Sequence, residues 1–259
     1  MKIEKRHIIQ IAGWSLLVLC FIGMFIAGRM SRRAVVCESI DVAITDSLSN
    51  KFISKADITA ILDSLYGRYI GVSIDSLDLN RIEDIIDSNS AVHKSQAYVT
   101  KKGVLKIEIT QRKPVVRFIT KDGGYYADAQ GSIIPIQKNF SSRVHTVDGA
   151  LPIPSRMEDA AEMDDPKQLK WFNGIIDLVN FMEGSDQWKD AIVQIHTLED
   201  GSLVLIPRKG NERFLFGQPD HVAEKFERIG LYYTSIVPEK GKDCYKEINV
   251  AYKGQIVCK

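Results

Sequence analysis

The chain has 259 residues, with 34 Lys and Arg against 33 Asp and Glu, 45% hydrophobic residues and four cysteines. That length carries one or two domains with real cores, and that balance of apolar and charged residues excludes wholesale disorder. Lys2, Lys5, Arg6, Arg29, Arg32 and Arg33 stand against Glu4 alone near the N-terminus, so a net charge of +1 leaves an acidic main body, which excludes a phosphate-tracking role on nucleic acid.

Residues 1–7 form a short tail. From Ile8 to Gly28 no residue is charged. About 20 apolar residues in a helix span the roughly 30 Å hydrocarbon layer, so residues 8–28 are expected to be a transmembrane helix. The run ends in Gly28-Arg29-Met30-Ser31-Arg32-Arg33. That is a charged stop and not the small-residue cleavage site of a signal peptide. Basic residues flank the run equally on both sides, so charge alone is silent about orientation.

Beyond the run, Ser39–Ile44 alternates apolar and polar and reads as a strand. Ser54-x-x-Asp57 has the form of a capping box opening a helix with Ile58, Ile61, Leu62 and Leu65 on one face, ended by Gly67 and Gly71. Asp78 caps a second short helix with Leu79, Ile82, Ile85 and Ile86 turned inward. Strands follow over 94–100 and 104–111, joined by Lys101-Lys102-Gly103. Residues 34–113 are thus expected to form a β-α-α-β-β module, and Lys113-Pro114 marks a boundary.

Residues 114–259 read as a mixed, β-rich domain with two helices. Strands are expected over 115–120, 125–128 and 132–136. An irregular loop over 149–166 leads to a helix starting at Asp165-Pro166, with Leu169, Phe172, Ile176 and Val179 as its buried stripe. A meander over 191–198, 202–207 and 212–216 follows. A helix over 220–233 has Val222, Phe226, Ile229 and Tyr233 on one face, and a strand region covers 245–252. The fold class is α+β.

No constellation for chemistry stands out. The histidines are scattered, with none at metal-ligand spacing, and no P-loop, dinucleotide glycine motif or nucleophile elbow is present. Asp164-Asp165 precedes a helix, where aspartate caps. His196 sits mid-strand and reads as structural or solvent-facing. Neither an enzyme activity nor a cofactor, metal or small-molecule substrate is expected. A bridge between Cys244 and Cys258 is left open, although cysteine usage does not form a disulfide framework. The positive signal is Glu247-Ile248-Asn249-Val250-Ala251-Tyr252, which alternates cleanly. A strand of this kind at a sheet edge presents main-chain N–H and C=O groups that can take a strand from another protein.

Several segments together resemble the FtsQ/DivIB family of bacterial cell-division proteins. Val104–Ile119, VLKIEITQRKPVVRFI, is similar to the family's strand entering the second domain, with Gln111-Arg112-Lys113-Pro114 in the Glu-Arg-x-Pro slot. YYADAQGSIIPI (125–136) resembles the Asp-x-x-Gly hairpin, LFGQPDHVAEKFERIGLYY (215–233) the Leu-Gly-x-x-Asp strand-to-helix segment, and INVAYKGQIV (248–257) the closing hairpin. The resemblance covers essentially the whole chain and implies a POTRA-type first domain. It implies a cytoplasmic tail, a single span in the inner membrane and a periplasmic ectodomain. It also implies a non-enzymatic divisome scaffold that holds FtsB- and FtsL-like bitopic proteins and influences septal cell-wall synthesis. The partner strand is implied to add along Glu247, Ile248, Asn249, Val250, Ala251, Tyr252, Gly254, Ile256 and Val257. Tyr252 matches the family's tyrosine before the terminal turn. Ala251 and Cys258-Lys259 stand where some members have arginine and tryptophan, so those side-chain contacts do not carry over. The alternatives are a POTRA-bearing envelope protein of assembly or secretion, and a membrane-tethered cell-wall enzyme. Residues 114–259 have too few alternating segments for the β-barrel that the first usually carries.

Overall fold

The structure is a computed structural model that describes residues 5–33, 35–45, 51–137, 140–242 and 244–259. The first helix, α1, runs Lys5–Arg33, and its described side chains are those of residues 13–28. That stretch is about 24 Å of helix at 1.5 Å per residue. Among the described residues no helix is long and apolar enough to cross a membrane. The expected span over 8–28 begins outside the described side chains, and most of the expected tail lies outside the described residues.

The chain divides into two compact units, one reaching Thr45 and resuming over Ile53–Thr110, the other holding Phe52 and Gln111–Lys259. The first is built from β1 (Ser39–Ile44), α2 (Lys55–Leu65), α3 (Leu79–Asp87), β2 (Val92–Val99) and β3 (Val104–Gln111). Its sheet has the order β1-β3-β2, with β1 parallel to β3. Parallel neighbours need a crossover, and α2 and α3 supply it. Both helices start where the sequence puts a cap. The Ser54 hydroxyl accepts from the Asp57 amide while the Asp57 carboxylate accepts from the Ser54 amide, and Asp78 accepts from the Arg81 amide. Such caps contribute about 1 kcal/mol each. Of the expected α2 face only Ile58 and Leu62 are buried, and Leu65 is largely exposed. The core is Val42, Ile58, Leu62, Ile82, Ile86, Val92, Leu105, Ile107 and Ile109, among others. Gly103 closes the β2–β3 turn at φ 76°, where a Cβ would lie 2.2 Å from the Val36 carbonyl oxygen.

The second unit is one nine-stranded sheet of order β12-β11-β10-β9-β8-β7-β4-β5-β6. Its strands are β4 (Pro114–Phe118), β5 (Tyr125–Asp128), β6 (Ile133–Ile134), β7 (His145–Gly149), β8 (Ile192–Thr197), β9 (Leu203–Pro207), β10 (Arg213–Gly217), β11 (Glu247–Asn249) and β12 (Val257–Cys258). β7 is not apparent in the sequence, because its only fully buried apolar residue is Val147. The meander expected over 191–198, 202–207 and 212–216 forms as β8-β9-β10, antiparallel throughout. Around it, β4 with β7, β7 with β8, and β10 with β11 are parallel pairs. The crossovers are α4 (Met157–Ala161) with α5 (Pro166–Glu183) between β7 and β8, and α6 (Val222–Leu231) between β10 and β11. The loop expected over 149–166 thus contains a short helix.

Asp165 caps α5 as expected, accepting from the Lys167 amide with Pro166 at the first helical position. Its buried face is wider than the expected stripe and includes Trp171, Ile175, Leu178 and Met182, while Leu169 is only half-buried. The cause is a second neighbour besides the sheet: the Phe181 and Phe226 rings lie 5.1 Å apart between α5 and α6. After α6 the chain winds through a π turn over Tyr232–Ile236 into α7 (Val237–Lys240). The helix expected over 220–233 therefore starts later and continues further.

Candidate partner-binding edge

The last three strands are laid down by two closures. The first is the turn from β10 into α6. Gly217 has φ 75°, and a Cβ there would lie 2.8 Å from the Ala251 side chain. His221 enters α6 at φ 47°, the one non-glycine residue with positive φ among the described residues. The buried Lys225 fixes this turn: its Nζ donates to the Gln218 carbonyl at 2.7 Å and to Asp220 Oδ1 at 2.6 Å, and it sits over the Phe216 ring. The second closure is the end of β11. The Val250 amide donates to the Leu215 carbonyl at 3.0 Å, and the Val250 carbonyl accepts from Arg228 Nε at 2.9 Å. Asn249 Oδ1 takes the Ala251 amide.

β11 is hydrogen-bonded on both flanks. On one side Arg213, Phe214 and Leu215 of β10 face Glu247, Ile248 and Asn249 in parallel register. On the other, Ile248 faces Cys258 and Asn249 faces Val257 in antiparallel register. The Lys259 carbonyl accepts from the Lys246 and Glu247 amides at 2.8 and 3.2 Å, and the Lys259 amide donates to the Glu247 carbonyl at 2.9 Å. The expected edge over Glu247–Tyr252 is therefore corrected, because the chain reverses near Gly254 (φ 72°) and covers β11 with β12. The free edge is the outer side of β12. Main-chain groups alternate in direction along a strand. Since those of Lys259 point to β11, those of Cys258 point away from the sheet.

The expected residues separate accordingly. Ile248 and Val250 are fully buried in the main core. Asn249, Ala251 and Ile256 are half-buried, and Glu247 and Gly254 are exposed. Tyr252 and Val257 are large side chains left 54% and 37% exposed beside the edge. Cys258 was not in the expected set, although the run Ile256-Val257-Cys258 after Gly254 carries the signal. Its thiol is pushed up first by burial and then by Cys244. Both thiols are free. Lys246, Lys253 and Lys259 surround the edge, exposed and without an ion-pair partner among the described residues.

Elsewhere in this unit the motif residues meet one another. Arg112 Nη1 pairs with Asp128 Oδ2 at 2.9 Å, and Asp128 Oδ1 accepts the Gln130 and Ser132 amides that close the hairpin before β6. Gln111, standing where the family has an acid, accepts the Phe52 amide at 3.0 Å. His196 Nδ1 lies 2.7 Å from Asp148, which also accepts from Gln194, so this histidine is paired across β7 and β8. Among the described residues no group of His, Cys, Asp and Glu is arranged to hold a metal ion.

The fold is that of a crossover α+β module followed by a mixed sheet whose C-terminal hairpin forms one edge. Residues 35–110 match a POTRA-like domain, and residues 113–259 match the family described as FtsQ/DivIB, C-terminal related. The chain belongs to that FtsQ/DivIB-related family, which assigns it a scaffold role in cell division. No curated protein is matched by this chain.

Proposed function

We propose that the protein is a membrane-anchored, non-enzymatic division scaffold that accepts an extended segment of an FtsB- or FtsL-like bitopic partner on the outer edge of β12. The observation that carries this reading is the two-residue β12 with its Cys258 main-chain groups directed away from β11. Strand addition draws its affinity from main-chain hydrogen bonds and its specificity from flanking side chains. Tyr252 and Val257 provide apolar flanks, and the three exposed lysines favour an acidic partner segment.

The anchor is the helix α1. The charge-free run Ile8–Gly28 supports it, as do Trp14, Leu16, Leu19, Phe21 and Met24, each at least 65% exposed along its described part. A helix that is apolar all round needs either a core or a bilayer to cover it. The tail then lies in the cytoplasm, with both folded units in the periplasm.

A matched pair of variants tests the edge. Cys258→Pro removes the outward amide while leaving the bonds of Val257 and Lys259 to β11, a position where a strand tolerates proline. Cys258→Ala keeps that amide. Affinity for the periplasmic segment of an FtsB-like partner is expected to fall about tenfold or more in the proline variant, as for a lost hydrogen bond that leaves its mate unpaired. The alanine variant is expected to bind as the wild type does. Equal binding by both variants rules out β12 as the accepting edge.

A further inference from the structure

Glu212 breaks the pattern of its strand. Residues two apart along a strand share one face. Phe214 and Phe216 of β10 are fully buried on the core face, and Glu212, at the same spacing ahead of them, is only 6% exposed. A buried carboxylate is costly unless its oxygens are hydrogen-bonded and its charge is met by a cation. Here Oε1 accepts from the Tyr233 hydroxyl at 2.6 Å. Burial, and then Glu212 itself, push the Tyr233 phenol up, so the tyrosine keeps the proton it donates. Among the described residues Oε2 has no donor, and the carboxylate has no ion-pair partner.

The surroundings leave room for this group and for something beside it. A Cβ at Gly210, in the turn before β10 (φ 104°), would collide with the Glu212 carboxylate. The Tyr232 and Tyr233 rings lie 5.3 Å apart, and both meet the Phe214 ring edge-on, at 5.8 and 5.7 Å. These two tyrosines open the π turn over Tyr232–Ile236, and such turns recur at functional sites. With Glu212 they line a pocket of about 360 Å³, whose other charged lining residues are Lys209 and Lys242. Both lysines are exposed and without an ion-pair partner among the described residues.

This charge pattern selects a ligand. A simple cation would meet two lysines, and a simple anion would meet a buried carboxylate. A molecule with an ammonium and a carboxylate on one carbon answers both, the ammonium donating inward to Glu212 Oε2 and the carboxylate facing the lysines at the rim. Hydrogen bonds between ionised partners are among the stronger kind. We propose that this pocket binds an α-amino-acid group, with Glu212 accepting from its ammonium and Lys209 and Lys242 donating to its carboxylate. The inference rests on this pocket alone and stands whether or not β12 accepts a partner.

The test titrates the full chain in detergent with alanine, ethylamine, propionate and Nε-acetyl-lysine, followed by calorimetry and by the amide resonances of Gly210 and Tyr233. Alanine is expected to bind and to shift both resonances, and ethylamine and propionate to bind about tenfold more weakly or less, since each lacks one charge-assisted contact. Nε-acetyl-lysine carries the same group at the end of a longer chain. It is expected to bind more tightly than alanine if the group belongs to a larger molecule, and equally if the ligand is a free amino acid. Glu212→Gln keeps the acceptor for Tyr233 and removes the charge, so alanine affinity is expected to fall about tenfold or more with the fold intact. Lys209→Met/Lys242→Met changes only exposed side chains and is expected to produce a similar loss. Failure of both alanine and Nε-acetyl-lysine to bind the wild type overturns the proposal. So does ethylamine or propionate binding as tightly as alanine, or undiminished alanine binding in the lysine double variant.

Discussion

Arg228 shows how one side chain sets the position of the candidate edge. The residue is 8% exposed, and its Nε donates to the Val250 carbonyl. Arg228→Met keeps the packing stem but leaves that carbonyl without its donor, a loss of about 1–3 kcal/mol. Urea unfolding is expected to show a lower midpoint with an unchanged slope. The buried His145 gives a prediction in pH. Burial lowers its pKa below 6.5, with Arg208 acting in the same direction, while Glu183 (Nε2 to Oε1, 3.3 Å) and Asp190 oppose the shift. The folded state thus binds its proton later than the unfolded chain does. This group's penalty is absent well above pH 6.5 and grows as the pH falls through 6.5, where only the unfolded chain takes up the proton. Unfolding free energy is expected to drop between pH 7.5 and 5.5, and His145→Gln to flatten part of that drop. An equal drop in the variant removes His145 as its source. Caps such as Ser54, Asp78 and Asp165 were legible in the sequence, because capping is local chemistry. Lys225 and Arg228 were not, since a charged residue on a helix ordinarily faces water, and only the tertiary fold supplies the carbonyls that bury them.

At the scale of elements, strands with Gly turns were placed well, the cleanly alternating Glu247–Tyr252 is a strand only over Glu247–Asn249, and strands defined by their neighbours were missed. β7 is such a case: it lies between parallel neighbours β4 and β8, with Thr146 and Asp148 on the face away from the core. β12 is another. Two residues carry no periodicity, yet they move the free edge from Glu247–Tyr252 to Val257–Cys258. The hairpin β2–β3 was legible through Gly103. A Gly103→Ala substitution places a Cβ against the Val36 carbonyl and forces an L-residue to φ 76°. A loss of about 1–3 kcal/mol is expected from the strained backbone alone, measurable as a lower thermal midpoint. A midpoint equal to that of the wild type would mean that the turn relaxes freely.

For the whole molecule, the α+β class and the family follow from the order of elements and motifs; the structure bears out the class and the family matches bear out the family. What the sequence could not specify is which main-chain groups remain unpaired, because that depends on strand order and not on any residue's identity. The membrane-anchor reading predicts that the full chain stays with membranes through alkaline carbonate extraction; release into the supernatant would overturn it. The central claim is that the partner's segment lengthens the sheet at β12. Residue-resolved hydrogen exchange of the full chain, with and without the periplasmic segment of an FtsB-like partner, tests it most directly. The account predicts that the Cys258 amide, open in the free protein, slows about tenfold or more in the complex, while the already bonded Lys259 amide changes little. A complex that forms with Cys258 still exchanging as in the free protein would contradict it.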